Sequence, residues 1–260
     1  MVKRYYGGSI SSSKALSNAQ AATGIFNLSD AAQGIQSNSW PLASPGDSYQ
    51  PPGTTRVLLI NFNNGSLNKS GTYTVTGGTG LTLPTTNGVL NTGYATGWNL
   101  TNSNNYISIS DFSTVANMKN ITVMAWYKGT QTASSAQFYS PGVPVFGEVS
   151  NQVYWGLGMD AGKICVSSDG TISRGTTNVN SNTWVHLAWT ISSTTVVNAY
   201  VNGVKEITNC QANSSYPGIR YIGAGYTYSG VEPPTALDGV QIYSGVLADS
   251  DILSIYNAGI

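Results

Sequence analysis

Residues 183–206, T-W-V-H-L-A-W-T-I-S-S-T-T-V-V-N-A-Y-V-N-G-V-K-E, constrain the fold more than any other stretch. In the first half, Val185, Leu187, Trp189 and Ile191 fall on one face and Trp184, His186, Ala188 and Thr190 on the other. A period of two in β-branched and aromatic residues is the pattern of a strand packed on at least one side. Ser192-Ser193-Thr194-Thr195 interrupts the run, and a second strand is expected over residues 196–201. Asn202-Gly203 then supplies two residues that tolerate positive φ, as a type I′ hairpin requires, and Val204 opens a third strand. An antiparallel meander is the expected outcome.

The rest of the chain reads the same way. Strands are expected over residues 56–62, 106–110, 120–128, 153–159, 163–168, 220–223 and 239–243, with a Gly/Thr-rich edge strand and loops over 71–80. Asp160-Ala161-Gly162 is the turn of one hairpin, and residues 130–144 form a polar insertion longer than an ordinary hairpin loop. Loops of that length on a rigid sandwich are where binding usually sits. The one convincing helix spans 250–257, with Asp249 as its cap and Gly259 just beyond its end. Pro45-Gly46 and Pro51-Pro52-Gly53 divide the chain into residues 1–52 and 53–260. An all-β domain of about 200–250 residues is common as a single unit.

The run W-x-H-x-A-W-T…V-x-A-Y-V-N-G-V within 184–204 is one of several matches in order. The others are Tyr106-Ile107-Ser108-Ile109, residues 121–126, Tyr221-Ile222-Gly223, residues 237–243, residues 249–253, and Tyr256-Asn257. Together they resemble the signature strands of the laminin G-like, concanavalin A-like jelly-roll superfamily, over residues 54–260. The resemblance implies an all-β jelly-roll β-sandwich. It leaves function open among lectins, adhesins, hydrolases and virion parts, all of which use this fold.

Residues 1–52 are small and polar, with scattered apolar anchors and a possible short helix after Ser29-Asp30; they cannot bury enough surface to fold alone. An extended N-terminal arm is expected, docking on a larger surface through Tyr5, Tyr6, Phe26 and Trp40, with a disordered leader as the alternative that composition alone leaves open. Tyr6-Gly7-Gly8, residues 21–28 and Trp40-Pro41 resemble the N-terminal segment of many tailed-phage virion proteins, especially from marine bacterial viruses. Phe26 stands where Trp is commoner, and the acidic pair after Leu28 is reduced to Asp30. This resemblance implies a non-enzymatic structural protein at the virion surface, with capsid or tail proteins as partners. The sandwich would then serve as a capsid decoration or a tail adhesin for a host-surface glycan. An arm docking at repeated sites favours a homo-oligomer, with a trimer expected. The alternative is a soluble lectin-like protein.

Charge bears on the partners. Charged residues make up 8% of the chain, eleven of each sign, and no basic block exists, so nucleic acid is not an expected partner. Met1 to Gly8 carry positive charge with no apolar run behind them, so neither a secretory leader nor membrane insertion is expected. Cys165 and Cys210 are isolated, and free thiols are the expectation.

Catalytic chemistry finds little support. A glycoside hydrolase needs two carboxylates about 5 to 9 Å apart across the scissile bond, and the acids here rarely fall at i, i+2 or i+4 on a strand. His186, the single histidine, has no triad to join, and a place in the core or at its rim is expected. Zinc would need more His or paired Cys. No cofactor is expected. The calcium loop that laminin G-like domains often carry would have to use Asp160, Asp169 or Asp238, for each of which a structural role is expected. Trp126, Trp184 and Trp189 read as core or sheet-face packing, whereas Trp98, Tyr139, Trp155, Tyr226 and Tyr228 lie in or near loops. Aromatic faces with Asn and Ser beside them bind sugar rings, and Tyr139, Tyr226 and Tyr228 are the candidate glycan site.

Overall fold

The structure, a computed structural model, describes residues 50–62, 65–89, 93–100, 102–112, 118–134, 141–147, 155–168, 170–212, 220–224 and 231–259. Its strands are β1 (Thr55–Asn61), β2 (Asn68–Gly71), β3 (Val75–Gly77), β4 (Ala95–Thr96) and β5 (Ile107–Ile109). Then come β6 (Ile121–Lys128), β7 (Val143–Gly147), β8 (Trp155–Asp160), β9 (Lys163–Ser168) and β10 (Thr171–Asn178). The last are β11 (Val185–Ile191), β12 (Val196–Val201), β13 (Val204–Gln211), β14 (Tyr221–Ile222) and β15 (Ala236–Ser244), followed by helix α1 (Asp249–Ala258).

Two antiparallel sheets result. One runs β13-β12-β11-β6-β15-β1-β2, with β4 also paired to β15, and the other runs β10-β9-β8-β7-β14-β5-β3. The central meander forms as its pattern demands. Leu187 faces Ala125 of β6 on one side and Val201 of β12 on the other. Asn202 and Gly203 take φ of 51° and 79°, the left-handed pair of a type I′ turn. The Asn202 side chain also accepts the His186 N–H at 2.9 Å, so the hairpin is tied back to β11.

Parity sets the layers. Val185, Leu187, Trp189 and Ile191 join Val123, Ala125 and Tyr127 in the core between the sheets. The opposite parity of the same strands faces outward, and there a second apolar cluster joins Met124, Ala188, Tyr200 and Tyr243 to Leu247, Ile252 and Ile255. Helix α1 covers that outer face. Full burial of Ile252 and Ile255 contributes about 1.5–3 kcal/mol apiece.

Several expectations change in the folded chain. Ala248, not Asp249, occupies the N-cap of α1, and Asp249 is the first helical residue. Its carboxylate is drawn sideways instead, accepting the Tyr200 hydroxyl at 2.9 Å and pairing with Lys205 at 3.0 Å, which fastens the helix to β12 and β13. Gly259 lies beyond the helix, at φ of −97°, and is needed for proximity: a Cβ there would stand 2.3 Å from the Trp126 ring. Trp98 lies in a loop as expected, two residues past β4, but its ring is core, at 5% exposure and edge-on to Phe62 at 6.3 Å. β4, β7 and β10 have no counterpart in the expected set, and β2 overlaps it only at Gly71. β10 is mostly polar because it is an edge strand, and β7 begins within the segment read as an insertion, its five residues all buried. The described parts of that insertion lie against the fold: Gly142 packs on Ala133, and Pro141 covers Gly156 and Gly158 of β8.

Candidate functional site

The outward parity that carries α1 continues beyond it. Trp184, Lys128 and Tyr94 sit at the ends of β11, β6 and β4, each next to a residue that points into the core: Val185, Tyr127 and Ala95. Register brings their strands side by side, since Val185 faces Tyr127, and Ala236 of β15 faces both Lys128 and Thr96. The Tyr94 and Trp184 rings meet edge to face, with centroids 5.6 Å apart at 76°. The Lys128 ammonium stands 5.9 Å from the Trp184 centroid, over the ring. All three side chains are partly exposed.

The platform is held from beneath. Trp184 donates its indole N–H to the Asn87 carbonyl at 2.9 Å, and Asn87 itself takes a left-handed φ of 67°. Two residues on, the Val89 N–H donates to the buried Asp238 carboxylate at 3.0 Å. Tyr94 is fixed through its own N–H to the Pro84 carbonyl at 3.2 Å, and Gly93 packs where a Cβ would lie 2.2 Å from the Phe62 carbonyl oxygen. Partly exposed rings held this way present apolar faces at little ordering cost on binding. Of the core and sheet-face roles expected for Trp184, the structure gives the sheet face, with the ring partly exposed. Tyr94 and Lys128 carry no sequence signal of their own, because the strands that place them beside Trp184 are distant in the chain.

A second, partly exposed pair lies on the other sheet. Tyr106 and Tyr221 meet at 5.1 Å and 74°, with the Arg220 guanidinium 5.1 Å from the Tyr221 centroid. The remaining predicted positions fall elsewhere. Tyr139, Tyr226 and Tyr228 of the candidate glycan site, and the anchors Tyr5, Tyr6, Phe26 and Trp40, lie outside the described residues, as does Asp169.

The described titratable groups are largely committed to structure. His186 is 1% exposed on the outer face, its ring 5.1 Å from Trp126 and 6.3 Å from Tyr256 of α1. Neither imidazole nitrogen has a partner among the described residues, and burial pushes its pKa down from 6.5 to about 3. Asp160, fully buried, accepts Arg174 Nε at 2.7 Å and Ser134 Oγ at 3.0 Å. Asp238, equally buried, accepts the Val89 and Gly239 N–H groups. Both acids thus tie segments of the fold together, and among the described residues no three His, Cys, Asp or Glu come together as metal ligands. Glu206 of β13 reaches β10, taking both N–H and hydroxyl of Thr176 and of Thr177 at 2.5–3.2 Å. Burial alone would raise its pKa, but these four donors outweigh it and bring it to about 2. Cys165 and Cys210 are free thiols, and burial pushes the Cys165 thiol up.

A family model described as the concanavalin A-like lectin/glucanases superfamily, laminin G type, matches residues 101–253. No curated protein matches the chain. Among solved structures, the binding domain of Paraclostridial Mosquitocidal Protein 1 aligns at 15% identity and a TM-score of 0.58 over 78% of this chain and 52% of that one. Domain 4 of AbnA, a GH43 extracellular arabinanase from Geobacillus stearothermophilus solved with arabinotriose, aligns at 17% identity and a TM-score of 0.55. That match covers 78% of this chain and 98% of the domain. The botulinum neurotoxin type G receptor-binding domain aligns at 13% and 0.51, covering 78% and 51%. The chain spans about half the length of the toxin domains it matches. At these identities the likeness is one of fold. The family match covers more than half of the chain and agrees with the two antiparallel sheets: the chain belongs to the concanavalin A-like lectin/glucanases superfamily, in its laminin G-like branch.

Proposed function

We propose that this chain is a non-enzymatic adhesion module of a tailed-bacteriophage virion, whose sandwich binds saccharide at the Tyr94–Trp184 platform. The observation that carries the binding half is the platform itself: two partly exposed rings, pinned through Asn87 and Gly93, on the same face whose apolar cluster α1 covers. A pyranose presents an apolar face to such rings and hydroxyls to the groups around them. Proteins of the same fold supply precedent, since the arabinanase domain was solved with arabinotriose and cell entry of botulinum neurotoxin type C depends on interaction with two ganglioside molecules.

Its virion half rests on residues 1–52. A small, polar segment with Tyr5, Tyr6, Phe26 and Trp40 as isolated anchors suits an arm that gains its order from a partner surface, and its motifs resemble the start of phage virion proteins. Hydrolysis is disfavoured because Asp160 and Asp238 are each buried and hydrogen-bonded to the protein, leaving neither free to act across a glycosidic bond. Locating the chain in purified particles tests this reading, and its absence from all of them overturns the virion half.

A further inference from the structure

We infer that the platform selects acidic saccharides, chains bearing a carboxylate or a sulfate, through Lys128. This inference rests on the platform binding saccharide and names the class it takes. Lys128 leaves β6 on the outward face, and its ammonium stands 5.9 Å from the Trp184 centroid. Ion pairs of the described residues join Arg174 to Asp160 and Lys205 to Asp249; Lys128 has no ion-pair or hydrogen-bond partner among them. The acid closest to it in the sheet pairing is Asp238, which follows its partner Ala236 on β15 with Leu237 between them. That carboxylate is buried and turned to the Val89 and Gly239 N–H groups, so it does not neutralise Lys128. What remains is a partly exposed cation resting on an aromatic ring, with no anion of its own among the described residues.

Ligand chemistry follows from that pairing. A sugar ring stacked on Trp184 or Tyr94 holds its substituents beside the ammonium, at the edge of an apolar surface that lowers the local dielectric. A carboxylate or sulfate there gains a charge-assisted hydrogen bond, whereas a neutral hydroxymethyl gains an ordinary one. The Tyr94 hydroxyl, which likewise has no partner among the described residues, adds a second donor to the platform. The rings supply affinity common to both sugar types and the lysine supplies the difference between them.

The test uses the full chain on an array of oligosaccharides in matched pairs: uronic-acid, sialylated and sulfated chains beside their neutral parents. Acidic members are expected to bind about five- to tenfold tighter than their parents, a preference that falls as salt is raised. Lys128→Gln should bring acidic and neutral members to the same affinity, and Lys128→Arg should keep the preference. Trp184→Ala should lose both, with circular dichroism confirming that each variant is folded. Equal binding of acidic and neutral members by the native chain overturns this inference while leaving the saccharide reading standing. So does a preference that survives Lys128→Gln. Binding to no member of the array overturns both.

Discussion

Acid should loosen the outer face of this sandwich through one residue. His186 is enclosed by Trp126 and Tyr256, with no partner for either nitrogen among the described residues. Burial brings its pKa from 6.5 to about 3, so the folded chain holds it neutral while the unfolded chain protonates it near 6.5. The unfolded state therefore binds more protons between those values, and stability rises with pH across the window. The contribution is complete above pH 6.5 and is lost as pH falls towards 3. Each whole pH step below 6.5 costs about 1.36 kcal/mol, so the drop from pH 7.5 to 5.0 removes roughly 2 kcal/mol. That is a large part of a total that is about 5–15 kcal/mol for ordinary domains. Urea unfolding followed by tryptophan fluorescence at about pH 7.5, 6.5, 5.5 and 5.0 measures it directly. The carboxylates with lowered pKa, Glu206 and Asp249, begin to lose their increments only as pH falls through their ordinary values of 4.5 and 3.8, so the window from about pH 7.5 to 5.0 belongs to the histidine. His186→Phe keeps a ring against Trp126 and Tyr256 and should give a flat profile from about pH 7.5 to 5.0. A flat profile in the native chain, or an equal slope in the variant, would refute this linkage.

Two further perturbations test the frame around the site. Glu206→Gln should weaken the clamp between β13 and β10, lowering stability at neutral pH by about 1 kcal/mol once the exposure of the group is allowed for. Because the Glu206 pKa is depressed from 4.5 to about 2, the native chain should lose that increment as pH falls through this range, and the variant should not. Gly223→Ala places a Cβ 2.0 Å from the Trp98 ring at a residue whose φ is +72°, and should lower stability by about 2 kcal/mol or more in the same unfolding assay.

The two-sided character of β11 could be read directly from residues 184–191, because strand parity is a local property. So could the hairpin at Asn202-Gly203, where the residues themselves dictate the backbone. β10 could not: Thr171 to Asn178 bury little, and what makes them a strand is the ladder with β9 and the reach of Glu206, both supplied by other parts of the chain. Asp249 shows the same limit. Its position invited a cap, but Tyr200 and Lys205 compete for the carboxylate, and neither is near it in sequence. For the platform, the alternation of residues 184–191 sets Trp184 on the outward face but says nothing of the Tyr94 and Lys128 beside it. Tyr94 and Lys128 became visible only when β4, β15 and β6 were aligned.

The virion role is tested most directly by immunogold labelling of particles from the source culture, with antibody to the sandwich. Label on the virion is expected and, for an adhesin, concentrated on the tail. Label spread over the head would place the chain as a capsid decoration, contradicting the adhesion role while keeping the arm. Particles without label would contradict the virion reading altogether and leave a free lectin.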